Sequence, residues 1–83
     1  MEIGKAIGMT QSEQSIHPLD VVAVIADLEG EGLVRGQVGT IVEVLAPGVF
    51  EVEFCDEEGR TYAQAALQER NLLVLHYRPQ QAA

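Results

Sequence analysis

The sequence predicts an all-β fold, a small antiparallel barrel of five short strands that follows an N-terminal arm. Three observations lead to this prediction. Two runs rich in β-branched residues are separated by Pro47-Gly48, which is typical of a hairpin turn. A long loop with several glycines and acidic residues, at 27–36, precedes this hairpin. Residues 66–71 lack strand propensity, are about one helical turn long, and precede a last apolar run.

The hairpin at 35–54 is the most informative stretch of the chain. In its second arm, three apolar residues alternate with two glutamates over 50–54, so a period of two buries one face. Alternation is less regular in the first arm, where Ile41 and Leu45 share a face with a glutamate. Proline fixes φ at the first central turn position, and glycine accepts the positive φ at the second. We therefore expect a type II reversal at Pro47-Gly48.

The other strands follow from the same patterns. The first is predicted over 19–26, where apolar residues occupy both faces after Asp20 and imply burial on both sides. Residues 56–59 suit a second reversal, and 60–65 suit a fourth strand. The last strand, at 72–75, is again apolar on both faces. With the helical turn before it and the long first loop, this order is typical of an SH3-like barrel, whose closure would remove exposed strand edges.

Length and charge indicate one small domain with few classes of partner. We expect residues 1–17 to form an N-terminal arm, flexible or docked, 18–78 to form the barrel, and 79–83 to form a frayed tail. Thirteen acidic against five basic residues give a net charge of −8, which repels nucleic acid and anionic membranes. One cysteine, Cys55, supports neither an internal disulfide nor a zinc framework. Without a leader or an apolar span, we expect a cytoplasmic protein with no cofactor.

Much of the chain resembles a bacterial family of small stand-alone proteins known as a domain of unknown function. The resemblance covers residues 18–76 and is most specific at 36–54. Its signature is the Arg-Gly-Gln-Val-Gly-Thr-Ile-Val-Glu run that begins at Arg35. It implies an SH3-like barrel with no assigned activity. Some members look like companions of toxin-type proteins, which implies a protein-binding role. The Gly-x-Val-Gly-x-Ile-Val pattern is also similar to KOW modules and to the barrel of nitrile hydratase β subunits, but RNA-binding KOW modules are usually basic.

The long loop offers one candidate metal site. Asp27, Glu29 and Glu31 place carboxylates at every second position, as in half of a calcium loop. The glycine and the bidentate glutamate that complete an EF-hand are missing. A solvated acidic loop is the alternative interpretation.

The candidate protein-binding residues fall into three groups. Glu57 and Glu58 add negative charge to a hairpin tip, and Tyr77 and Arg78 follow the last strand, where such side chains are common interface anchors. Ile41 and Leu45, with one face each of strands one and five, supply more apolar surface than a five-stranded barrel can hide. We expect an N-terminal arm, a second copy or a partner protein to cover this surplus.

The sequence thus predicts a non-catalytic protein-binding module, either a homo-oligomer or the acidic companion of a basic partner. No catalytic residue is assigned, because no nucleophile, base and oxyanion arrangement is recognisable in the chain. The alternative is a small-molecule or divalent-metal module that uses the acidic loop.

Overall fold

The computed structural model describes residues 15–79, which form one antiparallel sheet of five strands. Two short 3₁₀ turns interrupt the strands. In chain order the elements are β1 (Val21–Val24), a first 3₁₀ turn (Glu29–Glu31), β2 (Val38–Ala46), β3 (Val49–Cys55), β4 (Thr61–Gln68), a second 3₁₀ turn (Glu69–Asn71) and β5 (Leu72–Val74). The strands lie in the order β4-β3-β2-β1-β5. The all-β prediction is confirmed.

The central hairpin is confirmed, with strands at Val38–Ala46 and Val49–Cys55 on either side of Pro47-Gly48. β2 and β3 pair in antiparallel register from Thr40↔Glu53 to Ala46↔Val49, and Gly48 has φ +76°, as the second position of a type II turn requires. The register shifts twice along this ladder, first between Ile41 and Glu43. Such a bulge inserts an extra residue and re-aims the side chains that follow it. The irregular alternation of the first arm has this physical cause.

The core lies on one face of the sheet. Alternate residues of β1 and β3 are buried, as a period of two requires. The buried apolar residues are Ile16, Val22, Val24, Leu33, Ile41, Phe50, Val52, Phe54, Ala65, Leu67 and Leu72. The opposite face of β1 is only partly buried, so the burial of both faces predicted for the first strand is incomplete within residues 15–79, and the opposite face of β5 is exposed at Leu73.

The long loop is attached to the core by one side chain. Leu33 is 1% exposed and forms an antiparallel bridge with Leu28, which closes the loop around the first 3₁₀ turn. The Asp27 carboxylate accepts a hydrogen bond from the backbone N–H of Arg35 at 2.9 Å across the same loop. The loop between β1 and β2 is therefore folded back on itself and anchored, and its acidic residues lie on its solvent side.

Closure of the sheet into a barrel is not confirmed. β4 and β5 are the two ends of the strand order and do not pair with each other. β4 is also longer than predicted, because 66–68, which have little strand propensity, continue the ladder with β3. The helical turn predicted over 66–71 is reduced to Glu69–Asn71.

Parts of two predicted segments lie outside the described residues, namely 1–14 of the predicted arm and 80–83 of the tail. Ile16, which the sequence assigns to the arm, is buried in the core. Within the described part of the chain, no helix is long and apolar enough to cross a membrane.

Candidate functional site

The face of the sheet opposite the core carries a row of apolar side chains on three neighbouring strands. Ala23 of β1 lies directly opposite Leu73 of β5 on one side and Val38 of β2 on the other. Leu73 is 49% exposed and Val38 is 46% exposed, whereas Ala23 between them is partly buried. Paired residues on neighbouring strands point to the same face, so these three side chains form one continuous surface.

A second row extends this surface by one step along β1. Val21 follows the same alternation as Ala23, and the Leu75 N–H donates to the Val21 carbonyl at 2.9 Å. Both side chains are partly buried. We call the surface of Val21, Ala23, Val38, Leu73 and Leu75 the outer apolar strip.

The strip follows from the sequence of β1. Val22 and Val24 fill the core, and every residue between and beside them is also apolar, so the strand has no polar face to present to water. An inner strand that is apolar on both faces is typical of a sheet covered on both sides. Within residues 15–79, only the core side of β1 is fully covered by other side chains.

Acidic side chains lie beyond the strip, on β2 and β3. Val21 lies opposite Thr40, and Thr40 lies opposite Glu53, so Glu53 is two strands, or roughly 10 Å, from Val21 on the same face. Glu43 and Glu51 face each other directly across the β2–β3 ladder, where two like charges repel. None of these three glutamates has an ion-pair partner among residues 15–79.

The two predicted apolar contact residues have different positions. Ile41 is 0% exposed and packs in the core opposite Val52, so the prediction that its side chain faces outward is wrong. Before the bulge Gly39 and Ile41 face the core, and after it Val44 lies opposite the buried Phe50, so no single alternation holds along the whole of β2. Leu45 is 44% exposed near the tip of the β2–β3 hairpin.

The acidic hairpin tip is held by one arginine. Arg60 makes ion pairs with Asp56 (3.1 Å) and Glu58 (2.9 Å), while Glu57 is exposed beside them. The hydrogen bond from the Arg60 backbone N–H is the main cause that holds the pKa of the Asp56 carboxyl below its usual range. Desolvation opposes this effect, and weaker hydrogen bonds from the Glu58 N–H and the Arg60 side chain add to it. The tip is thus an ordered turn whose negative charge is partly neutralised.

The remaining predicted residues lie on exposed segments. Tyr77 is 84% exposed and Arg78 is exposed after the end of β5. An open depression there is lined by the five consecutive residues 75–79, so it is formed by the local course of the chain.

The acidic loop does not form a metal cluster. No three His, Cys, Asp or Glu side chains within residues 15–79 are placed to hold a metal ion, so Asp27, Glu29 and Glu31 do not converge. One oxygen of Asp27 already accepts the hydrogen bond from Arg35.

The predicted candidates do not meet in one site. Leu45 lies at the end of β3 where the chain enters from β2, whereas Glu57 and Glu58 lie at the opposite end. Seven residues of β3 separate these ends, which corresponds to roughly 23 Å. Leu45 and the acidic tip therefore belong to different surfaces.

The outer apolar strip could be predicted only in part from the sequence. The apolar surplus on one face of strands one and five was visible in their patterns, and the structure places it in Leu73, Ala23 and Val21. Val38 was missed because its strand alternates irregularly, although its position two residues before Thr40 places it on the outer face.

Comparison with known proteins identifies the family of the chain. No curated protein and no solved structure matches it. Residues 19–74 match a protein family described as Domain of unknown function (DUF4926). The match covers more than half of the sequence and spans all five strands. The chain therefore belongs to the DUF4926 family.

Proposed function

We propose that this chain is a non-catalytic protein-binding module whose outer apolar strip docks a partner protein. The observation that carries the proposal is the unbroken row of Leu73, Ala23 and Val38 across three strands, with two of the three side chains close to half exposed. Contiguous apolar surface on a sheet costs free energy in water and is typical of an interaction site.

The charges on β2 and β3, beyond the strip, favour a basic partner. Glu43 and Glu51 repel each other across the β2–β3 ladder without a cation among residues 15–79 to neutralise them. A Lys or Arg at the rim of a docked partner relieves this repulsion, while apolar side chains at its centre cover the strip. The overall charge of −8 also accelerates encounter with a basic protein at low salt.

The fold class in this proposal is SH3-like with open edges. The strand order, the short 3₁₀ turn before β5 and the long folded loop after β1 support it. The divalent-metal alternative has no comparable support, because within residues 15–79 the carboxylates of the acidic loop form no group placed to hold a metal ion.

The test is a capture experiment with two matched variants. Leu73 and Leu45 are both strand leucines of similar exposure, 49% and 44%, but only Leu73 lies on the strip. The immobilised protein, Leu73→Lys and Leu45→Lys are each incubated with nuclease-treated lysate of the source organism, then washed at low and high salt. We expect the wild type and Leu45→Lys to retain the same protein and Leu73→Lys to lose it, since Lys places an uncompensated charge in the contact.

Each other outcome contradicts the proposal in a defined way. Equal capture by all three proteins shows that the strip is not the contact. Loss in Leu45→Lys alone moves the contact to the hairpin tip, and the absence of any captured protein at low salt removes the support for a partner.

A further inference from the structure

Within residues 15–79, β4 leaves one edge of the sheet open. It is the last strand in the sheet order and, among the described elements, packs extensively only against β3. The other edge strand, β5, has only three residues, and Pro79 follows it closely in the chain. β4, by contrast, extends over the eight residues Thr61–Gln68. An open edge presents a row of unpaired N–H and C=O groups that can extend the sheet.

The direction of these groups follows from one hydrogen bond. The Glu69 N–H donates to the Gly48 carbonyl at 2.9 Å, in the same antiparallel register that continues along the β3–β4 ladder to Phe54↔Ala63. Hydrogen-bonded pairs alternate with non-hydrogen-bonded pairs along such a ladder. The backbone groups of the odd-numbered residues 63–67 therefore point to β3, and those of Gln64 and Ala66 point away from the sheet.

Within residues 15–79, the edge from Ala63 onward carries none of the features that usually protect one. Soluble proteins block open edges with charged side chains, proline, β-bulges or very short strands. β4 reads Thr-Tyr-Ala-Gln-Ala-Ala-Leu-Gln, without a charge or a proline, although charged residues make up 22% of the whole chain. Its one irregularity is a register shift at the Cys55 end, which leaves the part from Ala63 onward regular.

We infer that β4 pairs antiparallel with β4 of a second copy, so that two five-stranded sheets become one continuous sheet. A twofold axis perpendicular to the sheet brings each copy's outward groups at Gln64 and Ala66 opposite the same groups of its partner. Self-pairing places a strand opposite itself, so any charge in the middle of it would face a like charge. Because 61–68 is uncharged, this strand can pair with its own copy without such repulsion.

The inference concerns a different surface from the outer apolar strip. A perpendicular twofold axis keeps both outer faces on the same side of the joined sheet, so each copy retains its strip for a partner. Glu43, Glu51 and Glu53 lie on β2 and β3 and not in the paired strand.

The test combines mass with amide protection in the full chain. Sedimentation is measured over a wide range of concentrations, and hydrogen exchange is followed residue by residue. We expect a concentration-dependent shift from the mass of one chain to that of two. In the dimer, the Gln64 and Ala66 amides gain at least tenfold protection, whereas Ala65, already bonded to β3, changes little.

Two variants at one position provide the control. Ala66→Pro removes the outward N–H and is compatible with an edge strand, whereas Ala66→Val retains that N–H. With folding checked by circular dichroism, we expect Ala66→Pro to be monomeric and Ala66→Val to dimerise. A monomer at every concentration overturns the inference. A dimer that survives Ala66→Pro assigns association to another surface and overturns the inference as well. If that dimer is lost in Leu73→Lys, the other surface is the outer apolar strip.

Discussion

Gly39 is the position where the packing of the hairpin against the core can be tested most sharply. It is buried in β2, and a methyl group added to it would lie 2.7 Å from Val52 Cγ1 and 2.9 Å from Phe54 Cδ2. It would also lie 2.9 Å from the carbonyl oxygen of Glu53, a backbone atom that cannot rotate away. Gly39→Ala therefore forces β2 and β3 apart or displaces the core.

The expected cost follows from two opposing effects. Overpacking of a core costs about 1–3 kcal/mol, and replacing a glycine recovers about 0.4–1 kcal/mol through the unfolded chain. We expect Gly39→Ala to lower the free energy of unfolding by about 1–2 kcal/mol. For a domain of this size, with a urea m-value of about 1 kcal/mol/M, the unfolding midpoint falls by roughly 1–2 M.

Gly30 supplies the matched control. A methyl group there meets no atom within 4 Å, and its backbone is not in the left-handed region. Gly30→Ala should therefore leave the urea midpoint unchanged or raise it slightly. If Gly39→Ala is as stable as the wild type while the m-value is unchanged, the close approach of β2 to β3 is refuted.

Three further predictions follow from single contacts. Leu33→Ala should lower the free energy of unfolding by about 2–5 kcal/mol, against about 0.5 or less for exposed Val34→Ala, and equal urea midpoints would contradict the anchoring of the loop. Gly48→Ala, at φ +76°, should cost about 1–2 kcal/mol in thermal unfolding, and no loss would contradict the turn. Because the folded pKa of Asp56 is lowered, its contribution to stability is present above the ordinary carboxyl pKa and is lost as pH falls through the lowered value. NMR titration should show that low midpoint, and Asp56→Asn should flatten the acid dependence of stability; an ordinary midpoint would contradict the Arg60 hydrogen bonds.

The hairpin was predictable because local and tertiary preferences agree there. The alternation over 50–54 and the Pro47-Gly48 turn specify β3, and its three apolar residues are buried as expected. The bulge after Ile41 was not predictable in the same way, since it depends on how β2 pairs with a strand already in place. One shift in register divides β2 into two parts with different alternation, so the face assigned to Ile41 from the whole run was wrong.

Long-range pairing also explains the other differences. Residues 66–68 have weak strand propensity, but their backbone groups continue the ladder with β3, which overrides that local preference. Leu33 was hidden in a glycine-rich loop whose composition indicates solvent exposure, although the bridge with Leu28 turns it into the core. Closure of the sheet depends on contacts between distant strands, and no local pattern of residues specifies it.

The candidate surface was predictable in kind but not in composition. Apolar residues on both faces of β1 indicate surplus apolar surface, whichever strands neighbour it. The contribution of Val38 depends on the order of the strands, which places β2 beside β1 and opposite β5. The predicted contact residues Glu57 and Tyr77 lie outside this surface, on the β3–β4 turn and on the segment after β5.

The most direct measurement of the central claim is the dissociation constant of the captured partner for the wild type, Leu73→Lys and Leu45→Lys, by calorimetric titration at two salt concentrations. Loss of one buried leucine contact is worth about 1.5–3 kcal/mol, so Leu73→Lys should weaken binding by roughly tenfold or more. Leu45→Lys should remain close to the wild type, and wild-type affinity should fall with salt. An unchanged dissociation constant for Leu73→Lys would contradict the assignment of the outer apolar strip as the binding surface.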